Sequence, residues 1–178
     1  TIKHQTITTV MTPVVSIIMG STSDLPVMRK AADFLNSMEV PFEMLALSAH
    51  RTPDEVAEFA RNAATRGVKA IIAGAGMAAA LPGVIAAITP LPVIGVPLSA
   101  TLQGQDALLS IAQMPPGIPV ATTGIDGAMN AAVLAVRILA ISDTALAARY
   151  DAWRADLGKK IVKANADLSE ITYDFKTN

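Results

Sequence analysis

The sequence predicts an α/β protein, a three-layer αβα sandwich in which helices cover both faces of a mainly parallel sheet. Short apolar runs of strand length alternate with segments of helical spacing along most of the 178 residues. Loops of small and polar residues follow several of these runs, which is typical of strands that end at a ligand-binding edge. After the last predicted strand come two helical segments, and the final one is extended and amphipathic.

The first half of the chain alternates three predicted strands with two predicted helices. Strands are expected over residues 14–19, 42–47 and 70–73, and helices from about Leu25 to Met38 and from Pro53 to Arg66. Pro26 suits the first turn of the first helix. Thr52 is a good N-cap for the second helix, and Glu55 three residues later completes the pattern of a capping box.

The second half continues the alternation. It contains predicted helices at 81–88, 106–113 and 130–141, predicted strands at 92–97 and 120–123, and a final helix from about Thr144. The helix at 130–141 is apolar nearly all round, so we expect it to be buried on more than one side. If all the strands are parallel, the loops Ser99–Gln105 and Met114–Pro119 flank the same sheet edge as the earlier loops.

Length and composition indicate one domain that forms subunit interfaces. The chain is 52% hydrophobic and only 16% charged, which is little charge for the surface of a solitary globule. We expect a flexible extension over residues 1–13, one catalytic α/β domain with the C-terminal helices over 14–165, and a tail over 166–178. His4 lies in the extension, where a disordered tail is a better interpretation than a metal site.

Several functions are excluded by what the sequence lacks. A net charge of -1 and a pI near 6.0 leave no basic field for nucleic acid. The absence of cysteine excludes disulfides and thiol nucleophiles, and dispersed carboxylates with one usable histidine predict no metal site. No G-x-S-x-G elbow or Walker A motif is present. No apolar run is long enough to span a membrane and no signal-peptide pattern is present, so a soluble cytoplasmic protein is expected.

The segment Ser48–Glu55 organises the functional prediction. It places His50 and Arg51 between a predicted strand and a predicted helix start, near the positive pole of that helix. An imidazole can give and accept a proton near neutral pH, which makes His50 a candidate acid and base, with a structural role as the alternative. Arg51 forms either a surface salt bridge or, if Ser21 converges on the same ligand, a phosphate clamp.

Two other loops are candidates for ligand contact. The small residues of Gly20–Asp24 can surround a phosphate at a helix N-terminus, although spacing alone favours simple capping of the helix by Ser23 or Asp24. The Asp24 carboxylate would repel a phosphate but accepts hydrogen bonds from ribose hydroxyls. Gly74–Ala79 matches G-x-G-x-x-A, the dinucleotide-binding pattern, but it follows the third predicted strand rather than the first. No acidic residue follows at the distance needed to bind a ribose, so we reject a nicotinamide site. Its glycines indicate close approach either of a planar ligand or of strand to helix.

Six segments resemble, in order, the motifs of a known family, class I N5-carboxyaminoimidazole ribonucleotide mutase, the PurE family of purine biosynthesis. The segments are Gly20–Asp24, Ser48–Pro53, Ala73–Gly76, Leu81–Gly83, Gly95–Pro97 and Ser110–Pro115. The resemblance runs from about Val14 to Trp153. Any one of these motifs is weak evidence, whereas the ordered series is specific.

The resemblance implies a flavodoxin-like sheet, a homo-octamer and an isomerase that needs no metal, ATP or organic cofactor. The enzyme would move a carboxylate from the exocyclic amine of a phosphoribosyl-imidazole substrate to the ring carbon, on the route to IMP. It implies that His50 transfers the protons, Ser21 and Arg51 bind the phosphate, and Asp24 binds the ribose. The residues implied to approach the imidazole and carboxylate are Ser48, Ala49, Gly74, Ala75 and Gly76, and Leu81 is implied to bind the substrate.

The chain departs from the family pattern in one loop. Met77 stands where the family has glycine, and Ala80 stands where it has histidine, which removes any second-histidine contribution but leaves His50. One alternative is a class II enzyme that carboxylates aminoimidazole ribonucleotide directly with carbon dioxide. Others are a non-catalytic phosphoribosyl-ligand binding protein and the carboxylase domain of nickel-pincer cofactor synthesis. The absence of cysteine and the Ser48–Pro53 motif argue against the last of these.

Overall fold

The structure, a computed structural model, describes residues 11–178 and contains a five-stranded parallel sheet. The strands are β1 Val15–Met19, β2 Phe42–Ala46, β3 Ala70–Ala75, β4 Val93–Pro97 and β5 Ala121–Thr122. Their order is β2-β1-β3-β4-β5 and every pairing is parallel. This is the flavodoxin-like order, so the predicted fold class is confirmed.

Helices follow the strands as predicted. They are α1 Leu25–Ser37, α2 Pro53–Asn62, α3 Leu81–Ile88, α4 Gln105–Ala112, α5 Ala128–Ala140 and α6 Thr144–Ser169, with 3-10 turns at Thr22–Asp24 and Leu102–Gly104. The predicted end of α2 at Arg66 was wrong. The chain leaves the helix through a turn in which Val68 N donates to Ala63 O and Gly67 has φ of 96°, a left-handed conformation that glycine adopts without strain.

The central strands are buried on both faces. Every residue of β1, β3 and β4 is buried, as expected for parallel strands covered by helices on both sides. The buried Ser16 hydroxyl donates to Glu43 Oε1 at 2.7 Å, and Arg66 Nη2 contacts the same oxygen. A buried hydroxyl is tolerated because it is hydrogen-bonded, and this bond joins β1 to β2.

Helix α4 packs closely on the backbone of β4. A β-carbon added at Gly95 would lie 2.4 Å from Cγ2 of Ile111 and 3.0 Å from Cγ1 of Val120. Because both neighbours are β-branched and stiff, the position has no room for a side chain. Gly95 therefore lets the helix approach the sheet.

The carboxyl ends of the central strands lie level with one another. Met19 at the end of β1 pairs with Ala46 of β2 and with Gly74 of β3, and Ala75 of β3 pairs with Pro97 of β4. The loops that leave these strands consequently start side by side. This edge is where open α/β sheets bind ligands.

Helix α5 buries one face rather than several. Ala128, Ala131, Ala132, Ala135 and Val136 are fully buried, at the spacing of a single helical stripe. Met129, which is 41% exposed, and Arg137 lie on the outer side. The expectation of burial on more than one side is therefore wrong for the chain taken by itself.

The chain divides into two compact units, one up to Ile138 and one from Leu139 to Asn178. The second unit contains α6, where Asp143 Oδ1 caps the helix by accepting from Leu146 N at 2.9 Å. The pairing of Lys159 with Asp156 keeps the pKa of the Asp156 carboxyl below its usual range. The predicted start of a tail at residue 166 falls inside this helix, which ends at Ser169.

Residues 1–10, most of the predicted extension and the position of His4, lie outside the described residues. Among residues 11–178, no helix has both the length and the apolar character needed to cross a membrane.

Candidate active site

A cleft of about 640 Å³ opens where the loops leave the carboxyl edge of the sheet. Its lining comes from the loop after β1, the loop between β2 and α2, the segment from Ala75 to Leu81, and Ala100 after β4. The volume is in the range of small-molecule sites. Of the two later loops expected here, Ser99–Gln105 contributes Ala100 but Met114–Pro119 contributes nothing. The latter precedes β5, and a loop before a parallel strand leads to the amino end of that strand.

The loop after β1 is held by a capping box. Ser21 Oγ accepts from Ser23 N at 3.3 Å, and Asp24 Oδ2 accepts from Ser21 N at 3.2 Å. Asp24 is the N-cap residue of α1, as expected for one of the two candidates, but its side chain bonds within the preceding turn and makes no cap bond to that helix. Because Ser21 Oγ acts as an acceptor within the turn, its O–H remains available to a ligand.

His50 lies in a tight turn that Ser48 and Thr52 close. Thr52 N donates to Ser48 O at 2.8 Å, and Thr52 Oγ1 both accepts from Ser48 N at 2.9 Å and donates to Ser48 O at 3.2 Å. These bonds occupy the Thr52 hydroxyl, which makes no cap bond to α2. The capping box predicted for Thr52 and Glu55 was therefore wrong. The turn leaves His50 exposed and in the lining of the cleft.

Arg51 joins the first two loops. Its Nη2 donates to the carbonyl oxygen of Gly20 at 2.9 Å, and its Nε approaches Ser48 Oγ at 3.4 Å. Both partners, a carbonyl and a hydroxyl, are uncharged, so they do not neutralise the positive charge of the guanidinium. A guanidinium carries five N–H donors, and two bonds leave three for an anion. Arg51 bonds to the residue next to Ser21, and both residues line the same cleft, which meets the condition set for a phosphate clamp.

The third loop, Gly76–Ala80, lies close to the loop after β4. A β-carbon on Gly76 would lie 2.7 Å from Cβ of Ala100, so glycine is required there for the close approach. Ala79 N donates to Gly76 O at 2.9 Å, and Ser110 Oγ donates to Ala78 O at 3.1 Å. These bonds hold the loop between β3 and α3.

The structure separates the roles of the glycines in this segment. Gly74 is an interior residue of β3 and is absent from the cleft lining, and a β-carbon there would lie 2.5 Å from Met28 Sδ. Close packing of strand on helix explains Gly74, and close approach of two loops explains Gly76.

The other predicted site residues come together in the cleft. They are Ser21, Asp24, Ser48, Ala49, His50, Arg51, Ala75, Gly76 and Leu81. Residues that sequence reasoning did not single out as contacts also line it, among them Ala78 and Ala100. Alanine carries no chemical signal, so only its position after a strand could have indicated it. No group of three or more potential metal ligands occurs within residues 11–178.

The fold and the cleft define a flavodoxin-like α/β protein with a small-molecule site at the carboxyl edge of its sheet. The family model described as AIR carboxylase matches residues 14–160. The chain belongs to this family, which includes the PurE proteins.

Relatives and solved structures agree with this assignment. The N5-carboxyaminoimidazole ribonucleotide mutase of Pyrococcus abyssi is 59% identical over 146 residues, which cover 82% of this chain and 84% of that protein. A phosphoribosylaminoimidazole carboxylase of Schizosaccharomyces pombe is 53% identical over 90% of this chain but only 29% of that protein. The crystal structure of Treponema denticola PurE matches with a TM-score of 0.79 at 30% identity, covering 88% of this chain and 98% of that one.

We predict that the Thr52 hydroxyl stabilises the His50 turn. Thr52→Val keeps the shape of the side chain but leaves Ser48 N without its 2.9 Å acceptor, so unfolding in urea should show a loss of about 1–3 kcal/mol. Thr65→Val is the control, because that exposed hydroxyl donates only to Asn62 O at the other end of α2, and its loss should stay within about 0.5 kcal/mol. Equal losses in the two variants would contradict the assignment.

Proposed function

We propose that this protein is an N5-carboxyaminoimidazole ribonucleotide mutase, which forms 4-carboxy-5-aminoimidazole ribonucleotide in de novo purine biosynthesis. The observation that carries the proposal is the bond from Arg51 to the Gly20 carbonyl. It brings a cation beside Ser21, in a cleft that also contains His50. The Pyrococcus abyssi relative, which bears the mutase name at 59% identity, supports this particular reaction.

The polar part of the cleft suits a ribose phosphate. Arg51 offers three N–H donors and Ser21 offers its O–H, which are the charge-assisted partners that a phosphate prefers. Asp24 accepts from Ser21 N and from Ser23 Oγ, so its carboxylate is oriented and retains lone pairs for the ribose hydroxyls. In this arrangement the phosphate lies away from the Asp24 carboxylate, and the ribose hydroxyls donate to it.

His50 is proposed to transfer both protons of the reaction. As an imidazolium it donates a proton to the exocyclic nitrogen while the bond from that nitrogen to the carboxylate carbon breaks, which releases carbon dioxide. The ring carbon then attacks the carbon dioxide and forms the new carbon–carbon bond. The neutral imidazole accepts the proton that leaves the ring carbon, so His50 returns to its starting state. Ser48, Ala49, Ala75 and Gly76 are proposed to surround the imidazole, and Leu81 is proposed to contact the substrate.

The class I assignment is part of the proposal. It is supported by the segments Arg51-Thr52-Pro53 and Gly74-Ala75-Gly76. Direct carboxylation of aminoimidazole ribonucleotide is the second candidate, because the Schizosaccharomyces pombe relative is named a phosphoribosylaminoimidazole carboxylase. That protein is more than three times the length of the matched segment, so the mutase name of a relative matched over 84% of its length carries more weight.

We further propose that residues 14–165 act as one catalytic domain and that the chain assembles as a homo-octamer. The match of the family model to residues 14–160 supports the domain. Exposed apolar residues of the second unit, Ile161 and Val162 at 72% each, support burial against other copies. The mass in solution by light scattering tests the octamer, and a monomer would contradict it. A cytoplasmic location stays a prediction.

The first test is conversion of N5-carboxyaminoimidazole ribonucleotide by the purified protein without ATP or added metal, in labelled bicarbonate. Rapid conversion with little label in the product is the expected result, since the carboxyl group is retained in the cleft. Aminoimidazole ribonucleotide is offered separately. Faster labelled product from that substrate would favour direct carboxylation, and no reaction with either would favour a non-catalytic binding protein.

His50→Asn should lower turnover by about 10²–10⁴-fold, because it removes proton transfer. Asparagine approximately keeps the shape of the side chain, so substrate affinity measured by calorimetry should change little. Normal turnover by this variant would refute the role of His50.

Arg51→Ala should weaken binding of the substrate by about 10- to 100-fold, the effect of losing hydrogen bonds to a charged group. Arg61→Ala is the matched control, since Arg61 lies on the exposed face of α2 outside the cleft. Titration of the phosphorylated substrate compares the two variants. Affinity that is unchanged in Arg51→Ala would remove this residue from the phosphate site.

A further inference from the structure

The lining of the cleft combines loops with polar side chains and a segment with apolar ones. Hydroxyl, carboxylate, imidazole and guanidinium groups from the first two loops line one part. The other part is lined by residues 75–81 and Ala100, whose side chains carry no polar N or O atom. A ribose phosphate occupies the polar part in the proposed mode of binding, which leaves the apolar part to other groups of the reaction.

Two long side chains differ in their place within this apolar part. Leu81 is 3% exposed and belongs to the core, whereas Met77 is 62% exposed and still lines the cleft. Met77 therefore stands at the mouth. Its unbranched thioether side chain has three rotatable bonds and can adapt to the shape of a ligand.

The backbone at Met77 is in an unfavourable conformation. Its φ is 48°, and Ala79 in the same loop has φ of 36°, in the left-handed region that residues with a β-carbon avoid. Such strain persists only where the surrounding structure imposes it, and it concentrates at functional sites. A glycine would adopt this conformation freely, so the side chain at position 77 is kept at a cost in stability.

Carbon dioxide is the species in the proposed reaction that an apolar subsite suits. It is small and uncharged, it offers no hydrogen-bond donor, and it must remain beside the ring carbon between bond breaking and bond formation. The proposed reaction retains its carbon dioxide in the cleft, and we infer that Met77 covers the part lined by residues 75–81 and Ala100 and so limits escape of the gas to water. The inference rests on the proposed mutase function. Met77 takes part in no covalent step and acts by closing the mouth.

The experiment measures how often carbon dioxide escapes. Wild type, Met77→Gly and Met77→Asn convert N5-carboxyaminoimidazole ribonucleotide in labelled bicarbonate, with a protein-free blank. Two ratios are recorded. The first is the fraction of the product that carries the label, and the second is the amount of aminoimidazole ribonucleotide released per substrate consumed. Both replacements tolerate a left-handed backbone, so the proteins should fold, which thermal unfolding checks.

Leu102→Gly is the matched control. Leu102 is also an exposed apolar residue in the left-handed region, 74% exposed with φ of 44°, on the loop after β4, and it is absent from the cleft lining. Removing it relieves similar strain and removes similar apolar surface. Met77→Leu is a second control, because it restores an apolar cover of similar volume.

We expect both ratios to rise about fivefold in Met77→Gly and Met77→Asn, which corresponds to about 1 kcal/mol in the relative barriers to escape and recapture. Leu102→Gly and Met77→Leu should keep the wild-type ratios. Unchanged ratios in the first two variants, or an equal rise in Leu102→Gly, would overturn the role of Met77 while the mutase function stands. Absence of conversion by the wild type would overturn the proposed function and the inference together.

Discussion

The parallel pairing of β1 with both of its neighbours is the constraint on which the rest of the structure depends. It sets Met19 level with Ala46 on one side and with Gly74 on the other. Burial of both faces holds this register, because a shift by one residue would turn every side chain to the opposite face. Three loops from distant parts of the sequence therefore begin at one edge and enclose one cleft.

The sheet sets where the loops begin, and a few hydrogen bonds set how far apart their side chains lie. Arg51 reaches the Gly20 carbonyl across a separation of 31 residues, and Thr52 and Ser48 hold the turn that contains His50. Neither contact involves a strand residue. The ends of β1 and β3 thus fix where the loops start. Local turns then place the guanidinium of Arg51, the carboxylate of Asp24 and the imidazole of His50 in the lining of one cleft.

The two capping-box patterns show how far local sequence rules reach. Both Ser21 with Asp24 and Thr52 with Glu55 have the required spacing, but only the first pair forms the box. At Thr52 the backbone of Ser48 offers a donor and an acceptor four residues back, and the hydroxyl bonds there instead. The local pattern was compatible with both outcomes, and the preceding turn decided between them.

The sequence by itself determined the order and type of the elements, the buried strands and the loops that carry polar residues. It did so because periodicity and helix-end signals depend on neighbours within a few residues. The ordered motifs likewise indicated the family, which the match over residues 14–160 established. Only the tertiary structure decided that Gly74 packs against Met28, that Met114–Pro119 stays out of the cleft and that Met77 stands at its mouth. Those outcomes depend on strand order and on contacts between loops, which no local pattern records.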